Sequence, residues 1–125
     1  MALLEVKGVS KIFTRRKKPP HIVLENMSFT VERGQYVSLL GPSGCGKTTL
    51  LTMMGGFLTP DAGEIILAGN KVEKPGPDRG FVFQNYALFP WMTVKENILY
   101  SLQVKKLNKQ EQNKRLHELL EISHL

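Results

Sequence analysis

The chain has 125 residues and a net charge of +6, and no apolar stretch approaches the roughly 20 residues that a membrane span requires. Its hydrophobic fraction of 42% and charged fraction of 22% are ordinary for one soluble globular domain. Glu5 and Lys7 interrupt the start before a signal peptide could develop, and the one cysteine, Cys45, excludes an internal disulfide and is compatible with the cytosol.

The first two strands are predicted on either side of a basic turn. Residues 3–13 predict a strand with a twist or bulge near Gly8, and residues 22–31 predict a second strand pair or one broken strand. The cations at 15–18 form either a phosphate or lipid contact or a solvated turn, and we favour the turn. No aromatic residues are interleaved with them, so we expect no nucleic-acid partner.

The middle of the chain predicts two kinds of element around a glycine-rich loop. Residues 36–40 form an almost continuous apolar run, which is typical of a strand buried on both faces of a parallel sheet. Residues 47–57 carry apolar residues at helical spacing, and residues 64–68 and 80–83 predict two further strands.

The last third of the chain predicts helices. Thr93 and Glu96 have the spacing of a capping box, so a helix is expected to run from there to about Gln103. Asn108 is expected to cap a last helix. The apolar stripe predicted on that helix, for which no partner is apparent, consists of Leu116, Leu119, Leu120 and Ile122.

The loop at residues 41–48 fits the pattern G-x-x-x-x-G-K-[ST] at every fixed position. Its glycines let successive N–H groups point at phosphate oxygens, and the following helix adds the positive end of its dipole. Lys47 is expected to reach the β- and γ-phosphates, the Thr48 hydroxyl to bind Mg²⁺, and Thr49 to touch the α-phosphate. Cys45 is interpreted as a small residue that fits the loop rather than a redox-active thiol. The predicted nucleotide-binding residues are Gly41, Pro42, Ser43, Gly44, Cys45, Gly46, Lys47, Thr48 and Thr49.

Two segments outside this loop resemble ABC-transporter ATPase subunits. Residues 3–13 are similar to the first strand of that family, which implies that Phe13 stacks on adenine; a plain core residue is the alternative. Residues 80–85 are similar to the family's Q-loop, which implies that Gln84 coordinates Mg²⁺ or the attacking water. An ordinary turn residue is the alternative for Gln84.

A third segment, residues 88–98, resembles the start of the helical subdomain that docks onto the membrane subunit in this family. Its apolar residues indicate a partner surface, a small satellite core, or both. The Phe-Pro-Trp triplet at 89–91, together with residues 77–84, is most similar to importers of the nitrate, sulfonate and taurine type. The apolar residues concerned are Leu88, Phe89, Trp91 and Met92.

The resemblance implies an α/β, P-loop NTPase fold that is incomplete, with N-terminal antiparallel β strands and the start of a helical subdomain. Residues 1–125 would form the N-terminal part of one ATPase domain, with the nucleotide-binding core at 1–85 and the helical subdomain beginning at 86–125. No signature motif, Walker-B strand or switch histidine is recognisable. Asp61 and Asp78 lie in turns rather than after an apolar strand, so we expect no catalytic residue in this chain.

The implied function is the ATP-binding, energy-coupling subunit of an ABC importer for nitrate, sulfonate, taurine or a related small anion, with ATP and Mg²⁺ as cofactors. The implied partners are a second ATPase subunit in a homodimer, permease subunits contacted through residues 84–92, and indirectly a substrate-binding protein. The implied location is cytoplasmic and peripheral, at the inner face of the plasma membrane.

Two other functions stay open, a non-catalytic nucleotide-binding remnant and another P-loop NTPase such as a small-molecule kinase. We expect the isolated chain to bind ATP·Mg²⁺ weakly at best and not to hydrolyse it. We also expect an open, apolar sheet edge beside the phosphate-loop strand. A truncated gene product, a fragment and an incomplete gene model are all compatible with the sequence.

Overall fold

The computed structural model describes all of residues 1–125 and divides them into two units, Met1–Phe81 and Val82–Leu125. No helix in either unit has the length and apolarity that a membrane crossing requires. The elements of the first unit are β1 (Ala2–Phe13), β2 (His21–Glu32), α1 (Lys47–Met54), β3 (Ala62–Leu67) and β4 (Asn70–Lys71). Those of the second unit are α2 (Val94–Val104) and α3 (Lys109–Ile122).

The first unit is built on one antiparallel sheet with the strand order β2-β1-β3-β4. The register between β1 and β2 shifts between Val6 and Val9, where Gly8 has a φ of 57°. Glycine adopts this left-handed conformation without a Cβ penalty, and the predicted bulge is confirmed. Asn26, with a φ of 48°, interrupts β2, so residues 22–31 belong to one irregular strand.

Helix α1 supplies the centre of the core of the first unit. Leu50 and Met53 lie three residues apart on one helix face and are 2% and 1% exposed. The helix ends at Met54, three residues before the predicted end, because Gly56 follows with a φ of 82°. The strand and loop residues buried with this helix face are Val6, Val9, Leu24, Ile65 and Val72.

Two predicted strands, residues 36–40 and 80–83, are wrong, because neither segment is a strand in the structure. A strand requires backbone hydrogen bonds to a neighbour, and the only strand pairs are β1 with β2, β1 with β3 and β3 with β4. The burial predicted for residues 36–40 is also wrong, since Tyr36 is 92% and Leu40 91% exposed. Part of each segment still packs without strand pairing, since Leu39 contacts the core and the Phe81 ring lies 5.1 Å from the Phe57 ring.

The two helices of the second unit begin as predicted. In α2 the Thr93 hydroxyl accepts from the Glu96 N–H at 3.2 Å, and the Glu96 carboxylate accepts from the Thr93 N–H at 2.7 Å. In α3 Asn108 and Glu111 form the same reciprocal pair, at 2.8 and 3.2 Å. Both capping boxes satisfy N–H groups that would otherwise lack partners, and both predicted helix starts are confirmed.

The apolar stripe on α3 has a partner after all, because α2 packs against α3. Leu102 of α2 and Leu116 of α3 are 6% and 4% exposed. Ile122 is 71% exposed, so its assignment to the stripe is wrong. The functional division of the chain into a core at 1–85 and a helical subdomain at 86–125 stays a prediction.

Replacing Met53 by alanine is expected to lower the free energy of unfolding by about 2–5 kcal/mol, because the side chain is 1% exposed and its loss leaves a cavity. Leu51→Ala on the same helix is the matched control, since Leu51 is 46% exposed and should change stability by no more than about 0.5 kcal/mol. Urea titration followed by circular dichroism measures both. Equal losses in the two variants would contradict the core as described.

Candidate functional site

The N-terminus of α1 is the central feature of the site. Gly46 is its N-cap residue, with φ 96° and ψ 6°, and no side chain caps the helix. The first N–H groups of an α-helix have no intrahelical partner. Here they follow a loop whose residues Ser43, Gly44 and Cys45 are exposed. The uncapped amides and the helix dipole together form a receptor for an anion.

The ammonium group of Lys47 lies over this loop. It donates to the carbonyl oxygens of Gly41 at 2.5 Å and Pro42 at 2.8 Å, and it lies 3.4 Å from the Cys45 sulfur. These partners are all neutral groups, and none of the ion pairs of the chain includes Lys47. The loop therefore holds a positive charge that no carboxylate compensates.

Packing against β2 fixes the shape of the loop at Gly46. A Cβ on Gly46 would lie 2.9 Å from the Val23 carbonyl oxygen and 3.0 Å from a methyl carbon of Leu24. Gly44 also has a positive φ, of 78°, but nothing lies within 4 Å of its Cβ position. One glycine is thus required by both packing and backbone conformation, and the other by conformation alone.

The hydroxyl groups that follow in α1 differ in what they can reach. The Thr48 side chain is exposed and its hydroxyl makes no hydrogen bond within the chain, whereas Thr49 is half-buried. The Thr52 hydroxyl donates to the Thr48 carbonyl oxygen at 2.6 Å. No group of three or more His, Cys, Asp or Glu residues could hold a metal ion. The expected role of Thr48 as a metal ligand stays a prediction.

Phe13 ends β1 opposite His21 and lies outside the buried core cluster, with 37% of its surface exposed. Asp61 holds the strand just before it, because its carboxylate accepts from the Ile12 N–H at 2.7 Å. That bond and the hydrogen bond from Lys11 keep the pKa of Asp61 below its ordinary value of 3.8. Sequence reasoning placed Asp61 in a turn and missed this contact, which joins residues 49 positions apart.

Gln84 belongs to the second unit, where it is exposed and outside the helices and strands. The expected roles of Phe13, Gln84 and the loop residues stay predictions. The structure itself brings Gly41, Cys45 and Lys47 together in one loop.

The apolar segment at residues 88–92 is both a small core and an exposed surface. The Phe89 ring packs on Tyr100 and Trp91, with centroids 5.0 and 5.4 Å apart. The Asn97 amide holds the segment by accepting from the Phe89 N–H and donating to nearby carbonyl oxygens, a role that sequence reasoning missed. Leu88 and Trp91 remain 71% and 75% exposed. The small-core interpretation is therefore confirmed, and the partner-surface interpretation stays a prediction.

Comparison with known proteins gives a consistent family. The sequence model of the family described as ABC transporter matches residues 24–125. The bicarbonate transport ATP-binding protein CmpD of Synechocystis sp. is 44% identical over 91% of this chain and 40% of that protein. The taurine import ATP-binding protein TauB of Pelagibacter ubique is 43% identical, over 98% and 46%. The spermidine/putrescine import ATP-binding protein PotA of Nitrosospira multiformis is 46% identical, over 100% and 34%.

Solved structures agree with the sequence relatives. The dimeric structure of MJ0796, a bacterial ABC transporter cassette, superposes with a TM-score of 0.83 at 30% identity, over 98% of this chain and 57% of that chain. A dimeric post-hydrolysis state of the same cassette, bound to ADP and Pi, gives a TM-score of 0.82. The predicted α/β P-loop fold with N-terminal antiparallel strands is confirmed. The chain spans between a third and a half of the length of the curated relatives described above.

Gly46→Ala is expected to destabilise the first unit by about 2 kcal/mol or more, because a methyl group collides with β2 in addition to the left-handed strain. Gly44→Ala is the matched control, since only the strain of about 1 kcal/mol applies there. Denaturant midpoints measure the difference. Equal destabilisation in the two variants would show that the loop does not pack on β2.

The contact between Asp61 and the Ile12 N–H is expected to make stability depend on pH. Because the folded-state pKa of Asp61 is lowered, its contribution is complete above the unfolded-state value of 3.8 and is lost as the pH falls through the lower folded value. Asp61→Asn should abolish this part of the acid dependence, measured as the unfolding midpoint between about pH 2 and pH 6. An unchanged acid profile in the variant would exclude the contact.

Proposed function

The chain belongs to the ABC transporter family, and from this premise we propose that it forms the ATP-binding, energy-coupling part of an ABC importer. The observation that carries the proposal is the uncapped N-terminus of α1 beside an ammonium group that only neutral groups contact. A polyphosphate chain complements both features by charge and by hydrogen bonding.

Each group of the loop has a distinct task in this proposal. The backbone N–H groups at the start of α1 donate to phosphate oxygens. Lys47 exchanges the Gly41 and Pro42 carbonyl oxygens for oxygens of the β- and γ-phosphates, because anionic oxygens are the stronger acceptors. Thr49 contacts the α-phosphate. Thr48 would supply one protein ligand for Mg²⁺, which when bound neutralises charge at the phosphates.

Phe13 of the first unit and Gln84 of the second unit are the other residues for which we propose roles in nucleotide binding. The exposed ring of Phe13 offers an apolar face on which adenine can stack. Gln84 uses its amide oxygen to coordinate Mg²⁺ or to orient the attacking water, as the resemblance of residues 80–85 to a Q-loop implies.

The contacts of the aspartates in the turns support binding without hydrolysis by this chain. Asp61 is engaged by Lys11 and the Ile12 N–H, and Asp78 pairs with Arg79 at 2.8 Å. Neither carboxylate is therefore placed to activate water. A non-catalytic nucleotide-binding remnant is the second candidate function, and for the importer reading we propose that the groups that activate water lie elsewhere in the assembly.

The proposed cargo is nitrate, sulfonate, taurine or a related small anion. It is supported by the Phe-Pro-Trp triplet at 89–91 and by relatives named for bicarbonate and taurine transport. A relative named for spermidine and putrescine import has similar identity, so percentage identity does not rank the two classes of cargo. The Phe-Pro-Trp triplet is the feature that favours a small anion over a polyamine as the cargo.

The proposed partners follow from the same family. A second copy of the subunit would complete a nucleotide sandwich, in line with the dimeric cassette structures. Permease subunits would contact residues 84–92, where Leu88 and Trp91 are exposed, and a substrate-binding protein would act indirectly. No nucleic-acid partner is proposed. The proposed location is the cytoplasmic face of the plasma membrane, with peripheral attachment.

Lys47→Ala is expected to weaken binding of a fluorescent ATP analogue by about tenfold to a hundredfold, because it removes charge-assisted hydrogen bonds worth about 1.5–3 kcal/mol. Lys71→Ala, at an exposed lysine of β4, is the matched control and should bind like the unaltered chain. Phosphate release is measured in parallel and should stay at the background rate. Equal affinity in both variants would contradict the proposed site, and phosphate release abolished by Lys47→Ala would contradict binding without hydrolysis.

A further inference from the structure

The segment after α1 is fastened to the last residues of β1. The carboxylate of Asp61 accepts from the Ile12 N–H at 2.7 Å, and the Asp61 N–H donates to the Ser10 carbonyl oxygen at 2.9 Å. Lys11 donates to the Thr59 carbonyl oxygen at 2.9 Å and to the Asp61 carboxylate at 3.3 Å. We call these four contacts the Asp61 clamp. They hold each of the three residues that precede the end of β1.

The clamp also fixes a cation against the ring of Phe13. The ammonium nitrogen of Lys11 lies over that ring, 5.7 Å from its centroid. The Lys11 side chain is only 12% exposed, so a carbonyl and a carboxylate oxygen replace much of its water. A cation at this distance is attracted by the negative face of an aromatic ring. The contact therefore restrains the orientation of the ring.

The position of Lys11 limits which surface of the Phe13 ring is available to a ligand. Phe13 as a whole residue is 37% exposed, and the ammonium group lies over its ring, so a base can stack only on the ring surface that Lys11 does not cover. Removing the Asp61 carboxylate would free the Ile12 N–H, immediately before Phe13, and would leave Lys11 with only its hydrogen bond to the Thr59 carbonyl oxygen. The orientation of the ring would then be less restrained, although the phosphate loop makes none of these contacts.

We propose that Asp61 is a positioning residue for the base of the bound nucleotide, acting through Lys11 and the end of β1 to present one face of Phe13 to adenine. The inference rests on the proposed function, in which Phe13 stacks on the base. It adds a role for the segment that follows α1. The start of α1 would bind the phosphates, and the segment after α1 would position the residue that contacts the base. The segment after α1 thus determines the orientation of the Phe13 ring at the end of β1.

Calorimetry with two ligands separates base recognition from phosphate recognition. Asp61→Asn is expected to weaken ATP binding about threefold to tenfold, the range expected for one aromatic contact, and to leave inorganic tripolyphosphate binding unchanged. Phe13→Ala should show the same selective loss. The double variant should bind ATP no more weakly than Phe13→Ala alone, because Asp61 acts through that ring.

Two further variants keep the result decisive. Glu5→Gln is the matched control, since it removes another ion pair of β1, between Glu5 and Lys7 at 2.8 Å, and should change neither ligand. Lys11→Met leaves the Asp61 carboxylate and the two backbone bonds in place, and should show the ATP-selective loss even if Asp61→Asn fails to fold.

The possible failures are distinguishable. Equal loss of ATP and tripolyphosphate in Asp61→Asn and in Lys11→Met would show a structural strap only and overturn the inference. Loss in Phe13→Ala with neither of those variants affected would also overturn it. Tripolyphosphate binding that is insensitive to Lys47→Ala would instead contradict the proposed function itself.

Discussion

The structure depends on one electrostatic condition, a helix N-terminus without a side-chain cap beside an ammonium group without a carboxylate. Gly46 supplies no capping oxygen, and Lys47 contacts only neutral groups of the loop. Most helices satisfy their first N–H groups with a Ser, Thr, Asp or Asn side chain, as α2 and α3 do here. In α1 no side chain caps these groups, and an anionic ligand would suit both the N–H groups and the ammonium group.

The rest of the first unit holds that helix end in place. Leu50 and Met53 anchor α1 to the sheet, and β2 lies directly behind Gly46. After the helix, Asp61 ties the chain to the end of β1. Helix α1 thus packs on the core and carries the loop at its start, while the segment that follows it holds the end of β1.

Features that depend on residues close in sequence could be predicted from the sequence. The loop pattern around Lys47, the capping boxes at Thr93 and Asn108, and the bulge at Gly8 each depend on residues close in sequence. The strand predicted at residues 36–40 failed because a strand depends on a neighbour, which apolar composition cannot supply. The Asp61 clamp was missed for a related reason, since its hydrogen bonds join distant parts of the chain. Neither kind of contact leaves a periodic signal.

The central claim is that the amides at the start of α1 and the Lys47 ammonium group bind a triphosphate. The most direct measurement is the shift of backbone amide resonances in ¹⁵N-labelled protein during titration with ATP·Mg²⁺. The account predicts that the largest shifts occur at Gly44, Gly46 and Thr48, and that Lys47→Ala removes them. Unchanged resonances at these residues, with shifts elsewhere, would contradict it.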